Sequence, residues 1–136
     1  MSKNNKIKFQ YDGYETICIL CGEFIGKAVC NPKDYDMYSV RTGENIAFTR
    51  AQIKMLQAEK REMRIKLEAL LHLQSTIKNS KHYNVKGYIE NRISNHITIY
   101  YNDILNIQED IEDLRKILKD YIDGKEKIYQ KIRKQK

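Results

Sequence analysis

The amino-acid sequence predicts an α+β protein in which a small antiparallel β-meander precedes a long antiparallel helical hairpin. Two patterns carry this prediction. Residues 6–30 contain three short runs rich in β-branched and aromatic side chains, separated by turn residues. Residues 46–77 and 97–132 then repeat apolar side chains at alternating steps of three and four, which is the period of coiled-coil helices.

The three predicted strands are Ile7–Tyr11, Glu15–Leu20 and Phe24–Cys30. Asp12-Gly13 and Gly22-Glu23 separate them and favour tight turns, because glycine reaches backbone conformations that other residues avoid. The chain then leaves the strand pattern at Asn31-Pro32, and residues 33–38 are predicted to form a short turn or a single helical turn. Residues 1–40 are therefore assigned to the meander and this turn.

The first long helix is predicted within residues 41–80. Thr42-Gly43-Glu44 offers an N-cap hydroxyl and a first-turn acid, with the helical period beginning immediately afterwards. The apolar residues share one heptad seam, which comprises Ile46, Ile53, Leu56, Met63, Leu67, Leu70 and Ile77. Polar side chains interrupt this seam at Thr49, Lys60 and Gln74.

The second long helix is predicted within residues 84–136 and carries a more regular apolar ladder. Its members are Ile89, Ile93, Ile97, Tyr100, Ile104, Ile107, Ile111, Leu114, Leu118, Tyr121, Ile128 and Ile132, with Lys125 as the interruption. Asp123-Gly124 predicts a break near residue 124, because glycine costs about 1 kcal/mol inside a helix. The polar residues 78–84 read as a loop, so the two helices should pair antiparallel within a single domain, residues 1–136.

The length of the ladder predicts a homo-oligomer, a dimer or higher. A helix of ~45 residues is ~65 Å long, which exceeds what a compact domain of this size can cover. Part of the seam should therefore pack against another copy of the chain.

Composition and charge narrow the classes of partner. The 136 residues carry a net charge of +7, and residues 41–83 hold nine Lys/Arg against four Asp/Glu. This basic stretch predicts either a solvated helix face or a site for an anionic ligand. No apolar run approaches the ~18 residues of a membrane span, and residues 1–9 lack the apolar centre of a secretory signal, so we expect a cytoplasmic protein without membrane contact.

The sequence lacks the common catalytic motifs, namely a nucleophile elbow, a phosphate-binding GxxxxGK[ST] loop and HExxH. We therefore expect a protein that is not an enzyme. Cys18 and Cys21, followed by Gly22, resemble half of a zinc knuckle, but two further ligands at similar spacing are missing. An odd count of three cysteines indicates reduced thiols, and Cys18 falls in a predicted buried strand, so neither a metal nor another cofactor is expected.

The start of the second helix is the most polar and aromatic part of the chain. It contains His82, Tyr83, Asn84, Lys86, Tyr88, Asn91, Arg92, Asn95 and His96. Aromatic rings, amides and an arginine are the groups that stack on a base, read its edge and clamp a phosphate. A polar cap on the helical hairpin is the simpler interpretation of the same residues.

Two segments of the chain resemble a known family. Residues 26–34 read GKAVCNPKD and residues 43–54 read GENIAFTRAQIK. This pattern resembles phage-encoded Thoeris anti-defence proteins of the first type. The resemblance implies a small N-terminal sheet with two long helices, in an oligomeric sponge that sequesters cyclic ADP-ribose signals without cleaving them. Some members of that family also bind cyclic oligonucleotides.

We therefore predict that the chain binds a cyclic nucleotide at a junction between protomers, in the cytoplasm of the bacterial host. Arginines and one lysine should neutralise phosphate, tyrosines should stack on the base and asparagines should read its edge. The candidate ligand-binding residues are Arg50, Lys54, Tyr83, Tyr88, Asn91, Arg92, Asn95 and Arg115.

Two other functions remain open at this point. A basic helical protein could bind nucleic acid along its first helix, although Glu59, Glu62 and Glu68 interrupt the basic stretch there. A coiled-coil inhibitor could instead bind a host protein through its helical surface.

Overall fold

A sheet of three strands and two long helices form the fold, as the sequence predicts. The computed structural model describes the backbone of residues 6–29, 40–79 and 86–135, and the side chains of residues 6–29, 40–79 and 87–124. The elements in chain order are the strands β1 (Ile7–Asp12), β2 (Glu15–Leu20) and β3 (Phe24–Val29), and the helices α1 (Val40–Lys78) and α2 (Lys86–Gln135). Predictions for Cys30, the turn at residues 31–38 and Tyr83 lie outside the described residues.

The chain divides into two compact units. Residues Met1–Leu56 and Ile111–Lys136 make up the first, and residues Gln57–Asp110 make up the second. The first unit therefore contains the sheet, the beginning of α1 and the end of α2. The second consists of the remaining parts of the two helices and the connection between them.

The sheet is an antiparallel meander in the order β1-β2-β3, so β1 and β3 are its edges. The β1–β2 register pairs Asp12 with Glu15, which leaves a loop of two residues. Gly13 opens this loop at a φ of 60°, where a side chain would be strained. One face of β2, formed by Thr16, Cys18 and Leu20, is buried. This alternation is the period of a strand covered on one side.

The turn between β2 and β3 contains a residue in an unusual conformation. Leu20 pairs with Phe24, and the Glu23 amide donates to the Leu20 carbonyl at 3.2 Å. Cys21 and Gly22 both have positive φ, 57° and 70°. Glycine adopts this left-handed backbone conformation readily, whereas for a residue with a Cβ atom it costs about 1–2 kcal/mol.

We expect the Cys21→Gly variant to be more stable than the Cys21→Ala variant by about 0.5–1 kcal/mol. Both variants remove the sulfur atom and its packing, but only glycine relieves the strain at positive φ. The greater conformational freedom of glycine in the unfolded chain offsets part of this gain in stability. Urea unfolding of the two variants measures this difference. Equal midpoints, or a more stable alanine variant, would show that the turn stores no such strain.

Helix α1 lies directly against β3. A Cβ atom added to Gly26 would stand 2.0 Å from the Ala47 carbonyl oxygen and 2.5 Å from the Ala51 amide nitrogen, so only glycine fits there. Gly43, Ala47 and Ala51 are all buried and recur every four residues, which forms one smooth stripe along the helix. The absence of large side chains along this stripe allows the helix backbone to approach the sheet closely.

The hydrophobic core of the first unit lies around this contact. Its buried members are Cys18, Leu20, Ala28, Ile46, Ala47 and Ala51. Leu118 and Ile122 of α2 pack against this cluster, together with Phe9, Phe24, Phe48 and Met55. The end of α2 therefore stabilises the packing of the sheet against α1.

The second unit confirms the predicted seam of α1. Between residues 61 and 79, the half-buried side chains are Met63, Leu67, Leu70, Gln74 and Ile77, and all others are exposed. These five residues are the predicted seam positions of this range, with Gln74 as the polar interruption.

The polar interruptions of this seam form hydrogen bonds with α2. Lys60 Nζ donates to Gln108 Oε1, and Gln74 Nε2 donates to Ser94 Oγ at 3.4 Å. From the first bond to the second, α1 advances fourteen residues while α2 goes back by fourteen. The helices of this unit are therefore antiparallel, in the predicted arrangement, and the seam tolerates polar residues where α2 supplies a partner.

The apolar ladder of α2 is largely confirmed. Ile93, Ile104 and Ile111 are buried, and the intervening seam residues Ile97, Tyr100, Ile107, Leu114 and Leu118 are half-buried. Among the described side chains of the ladder, Ile89 and Tyr121 are exposed in the single chain, at 36% and 37%. After Leu118 the side chain that reaches the core is Ile122, four residues on, since a straight helix of 3.6 residues per turn drifts from a 3.5-residue repeat. Ile128 and Ile132 lie beyond the described side chains.

Two predictions about helix ends are corrected. The predicted break near Gly124 is absent from the described backbone, where α2 continues to Gln135. The cost of one glycine, about 1 kcal/mol, is too small to end a helix of this length. The N-cap predicted at Thr42 is also wrong, since α1 begins at Val40 and places both Thr42 and Gly43 inside the helix. Gly43 belongs to the stripe of small residues, with Ala47 and Ala51, along which α1 packs on the sheet, and this packing accounts for a glycine inside the helix.

Candidate functional site

The exposed beginning of α2 presents an arginine held against a tyrosine. Arg92 NH1 donates to the Tyr88 hydroxyl oxygen at 3.1 Å, and the guanidinium carbon lies 5.7 Å from the centre of the Tyr88 ring. The two residues are four positions apart, which places them on the same face of the helix. Tyr88 is 66% exposed. The pair therefore offers solvent a cation and an aromatic ring in a defined mutual orientation.

Amide and imidazole side chains continue this surface along α2. Asn91 and Asn95 are both exposed and also lie four residues apart. The rings of His96 and Tyr100 follow, with their centres 6.4 Å apart and their planes tilted by 34°. These side chains supply hydrogen-bond donors and acceptors and further aromatic faces. They all belong to the second unit.

The predicted cations Arg50, Lys54 and Arg115 belong to the first unit. Arg50 NH1 donates to the main-chain carbonyl of Lys27 at 2.6 Å, so this arginine links α1 to β3. Lys54 and Arg115 are exposed. The structure thus places Tyr88, Asn91, Arg92 and Asn95 on one stretch of α2, and assigns the other three described candidates to a different unit. Tyr83 lies outside the described residues.

The described cysteines occupy packing positions. Cys18 is fully buried in the core, as the sequence predicts, and burial raises the pKa of its thiol. This shift disfavours the thiolate, which is the form of cysteine that acts as a nucleophile. Cys21 is half-buried in the turn after β2. Over the described part of the chain, no group of three His, Cys, Asp or Glu side chains is arranged to hold a metal ion.

Sequence reasoning missed two features near these positions. The first is the contact of Gly26 with the small stripe of α1, whose signal was the spacing of Gly43, Ala47 and Ala51 by four residues. The second is the pairing of Tyr100 with His96. The half-buried ring of Tyr100 therefore belongs to the seam and also contacts His96 on the polar surface.

Comparisons of the chain with protein-family models, with curated proteins and with solved structures find no match. In the described residues, neither α1 nor α2 contains a stretch apolar enough to cross a membrane.

Proposed function

We propose that this protein binds and sequesters a cyclic nucleotide immune signal, of the cyclic ADP-ribose type, without cleaving it. In this proposal it acts as a phage anti-defence protein in the cytoplasm of the bacterial host. The observation that carries the proposal is the exposed pair of Arg92 and Tyr88, in which a guanidinium is held over an aromatic ring.

The chemistry of such a ligand matches the groups on this stretch of α2. A pyrophosphate requires a cation with several donors, and the guanidinium of Arg92 keeps donors available after bonding Tyr88. An adenine ring stacks on an aromatic face, and Tyr88 presents one. The amides of Asn91 and Asn95 can pair with the edge of a base. Sequestration requires binding groups of this kind and no catalytic group.

The exposed side of one helix contacts a ligand from one direction only. Tight capture of a small molecule usually requires a concave site that covers most of the ligand surface. We therefore propose that the site is completed where two copies of the chain meet, which agrees with the homo-oligomer expected from the length of the apolar ladder.

Thermal unfolding of the purified protein with cyclic ADP-ribose isomers, cyclic di- and trinucleotides and short DNA tests this function. At 100 times its dissociation constant, a ligand that binds the folded state adds about 2.7 kcal/mol of stability. We expect a cyclic nucleotide to raise the melting temperature and to be recovered intact after denaturation. Recovery of a cleaved product would indicate an enzyme, and stabilisation by DNA alone would indicate a nucleic-acid-binding protein.

The Arg92→Ala variant should bind the stabilising nucleotide at least about tenfold more weakly, since hydrogen bonds to charged groups contribute about 1.5–3 kcal/mol. Isothermal titration calorimetry measures the affinity. Lys116→Ala is the matched control, because Lys116 is an exposed cation on the same helix outside the proposed site. An unchanged affinity in Arg92→Ala, or an equal loss in both variants, would remove Arg92 from the site.

A further inference from the structure

The second unit is a single layer of two helices. Over its described side chains, residues 57–79 and 87–110, only Ile93 and Ile104 are buried. Eight of its large apolar side chains are exposed, among them Leu71, Tyr101 and Leu105. Stable domains pack at least two layers of secondary structure around one hydrophobic core. The unit therefore exposes apolar side chains that a second layer would cover.

Two hydrogen bonds between the helices mark one side of this hairpin. The Lys60–Gln108 and Gln74–Ser94 bonds lie ~21 Å apart along the helices, because fourteen helical residues separate them. Tyr101 lies midway between Ser94 and Gln108, seven residues from each. In a helix that follows a heptad seam, residues seven apart share one line. Tyr101 is therefore on the side of the hairpin that carries the two bonds.

The other two apolar side chains lie on the same side, between the two bonds. Leu105 follows Tyr101 by one helical turn. Leu67 shares the seam line of Lys60 and Gln74, and Leu71 lies one turn further along α1, on the flank next to that line. The structure describes both helices without a gap over this stretch. We call the surface of Leu71, Tyr101 and Leu105 the Tyr101 face.

The opposite side of the hairpin is less suited to a contact between layers. Lys66 borders the seam there on α1, and Asp103 and His96 border it on α2. The centre of a protein interface is depleted of charged residues and enriched in aromatic ones. The Tyr101 face, with an aromatic ring and two leucines, fits such a centre better.

We propose that the second layer is the same unit of a second copy of this chain, stacked on the Tyr101 face about a twofold axis parallel to the helices. In this arrangement α1 of each copy lies over α2 of the other, and residues at equal heights face each other. Counted from the Gln74–Ser94 bond, Leu71 then lies opposite Thr98 of the second copy, one turn from its Tyr101. The two hairpins form a four-helix bundle with the apolar side chains of both copies inside.

The borders of the Tyr101 face carry opposite charges on the two helices. Arg64 lies seven residues before Leu71 on α1, and Glu109 lies one turn after Leu105 on α2. Both are exposed, and neither forms an ion pair with another described residue. In the proposed stacking Arg64 lies opposite Leu105 of the second copy, and its methylene groups can cover that leucine. Helical side chains lean towards the N-terminus of their own helix, so Arg64 and Glu109 of the second copy lean towards each other.

This complementarity selects a second copy as the occupant. An isologous contact requires a surface that matches itself, and the twofold axis forms the contact between Arg64 and Glu109 twice. It also makes every neighbouring pair of helices in the bundle antiparallel. The alternative stacking, with α1 on α1 and Tyr101 against Leu105 of the second copy, would bring Arg64 beside the second copy's Arg64. Like charges in that position would oppose association.

The Tyr101 face is separate from the proposed nucleotide site. Arg92 lies nine residues before Tyr101, which is a rotation of about 180° around α2. The pair of Tyr88 and Arg92 therefore stays outside this contact. The inference does not rest on the proposed nucleotide binding, whose site would be completed by a different contact between copies.

Sedimentation equilibrium of a Tyr101→Lys variant tests the interface. The wild type should dimerise, and Tyr101→Lys should raise the dissociation constant of the dimer at least about tenfold, because it places two lysines at the centre of the contact. Ile99→Lys is the matched control. Ile99 is 52% exposed and Tyr101 is 55% exposed, but Ile99 lies on another side of α2. The control should associate as the wild type does.

A charge-reversal cycle tests the orientation of the two copies. Arg64→Glu and Glu109→Arg each place like charges together twice, so each should weaken dimerisation about fivefold. The double variant R64E/E109R restores opposite charges across the contact and should associate as the wild type does. R64E/E68R is the matched control, because it exchanges the charges within α1 alone and should associate as weakly as Arg64→Glu.

Four outcomes would overturn the proposal. They are a wild type that stays monomeric, a Tyr101→Lys variant that associates no more weakly than Ile99→Lys, an R64E/E109R variant no better than its single variants, and rescue by R64E/E68R instead. The last would indicate that α1 stacks on α1. Circular dichroism of each variant shows that a loss of association is not a loss of folding.

Discussion

The Gly26→Ala variant should be less stable than the wild type by about 3 kcal/mol or more, which corresponds to a melting temperature lower by ~10 °C. The added methyl group would meet the backbone of α1 at Ala47 and Ala51, at 2.0 and 2.5 Å. A side chain can avoid a clash by changing its rotamer, but these backbone atoms cannot, so α1 must move away from β3. That movement opens the core around Cys18. Thermal and urea unfolding measure the loss.

Gly124→Ala is the matched control for this variant. A Cβ atom at Gly124 meets nothing within 4 Å, and the residue lies inside α2. Alanine is the better helix former by about 1 kcal/mol, so this variant should be as stable as the wild type or more stable. If Gly26→Ala unfolds at the same temperature as Gly124→Ala, the close approach of α1 to the sheet is incorrect.

The Ile111→Ala variant should lose about 2–5 kcal/mol of stability. Ile111 is 2% exposed and is among the largest fully buried side chains of the described residues. Its truncation removes apolar contacts and leaves a cavity that two long helices cannot close without bending. Urea unfolding should show a lower midpoint with a similar slope, which indicates a loss of stability without a change in the area exposed on unfolding.

The control for Ile111 lies six residues further along the same helix. Ile117 is 43% exposed, and the Ile117→Ala variant should change stability by no more than about 1 kcal/mol. Comparing the stability of the Ile111→Ala and Ile117→Ala variants separates the effect of burial from the effect of removing an isoleucine from α2. A similar loss for both variants would mean that the face of Ile117 is buried in solution, for instance between copies of the chain.

The regular elements were predictable because periodicity reports which face of an element is buried. The run Glu15–Leu20 alternates with the period of a strand, and it forms β2 with the predicted bounds. Met63, Leu67, Leu70 and Ile77 keep a heptad spacing, and between residues 61 and 79 they are, with Gln74, the half-buried positions of α1. In the single chain, Ile89 and Tyr121 are the exposed ladder residues of the described part of α2, and they lie towards the two ends of the ladder.

The candidate site was predictable only in part. Residue types at the start of α2 indicated base and phosphate recognition, and the helical spacing of four residues brings Tyr88 and Arg92 together. Arg50 shares the chemistry of Arg92, but its partner is the carbonyl of Lys27, 23 residues away. A helical period reports neighbours on one helix, whereas a contact with a strand depends on how the two elements pack.

The linear pattern of residues was sufficient for the class of fold, the number and order of its elements, and the seam along each helix. These depend on local conformational preference and on the separation of apolar from polar side chains. Only the tertiary structure established that Gly26 must lack a side chain and that Arg50 is engaged with β3. Each of these depends on the distance between elements that are far apart in the chain, and close packing sets that distance.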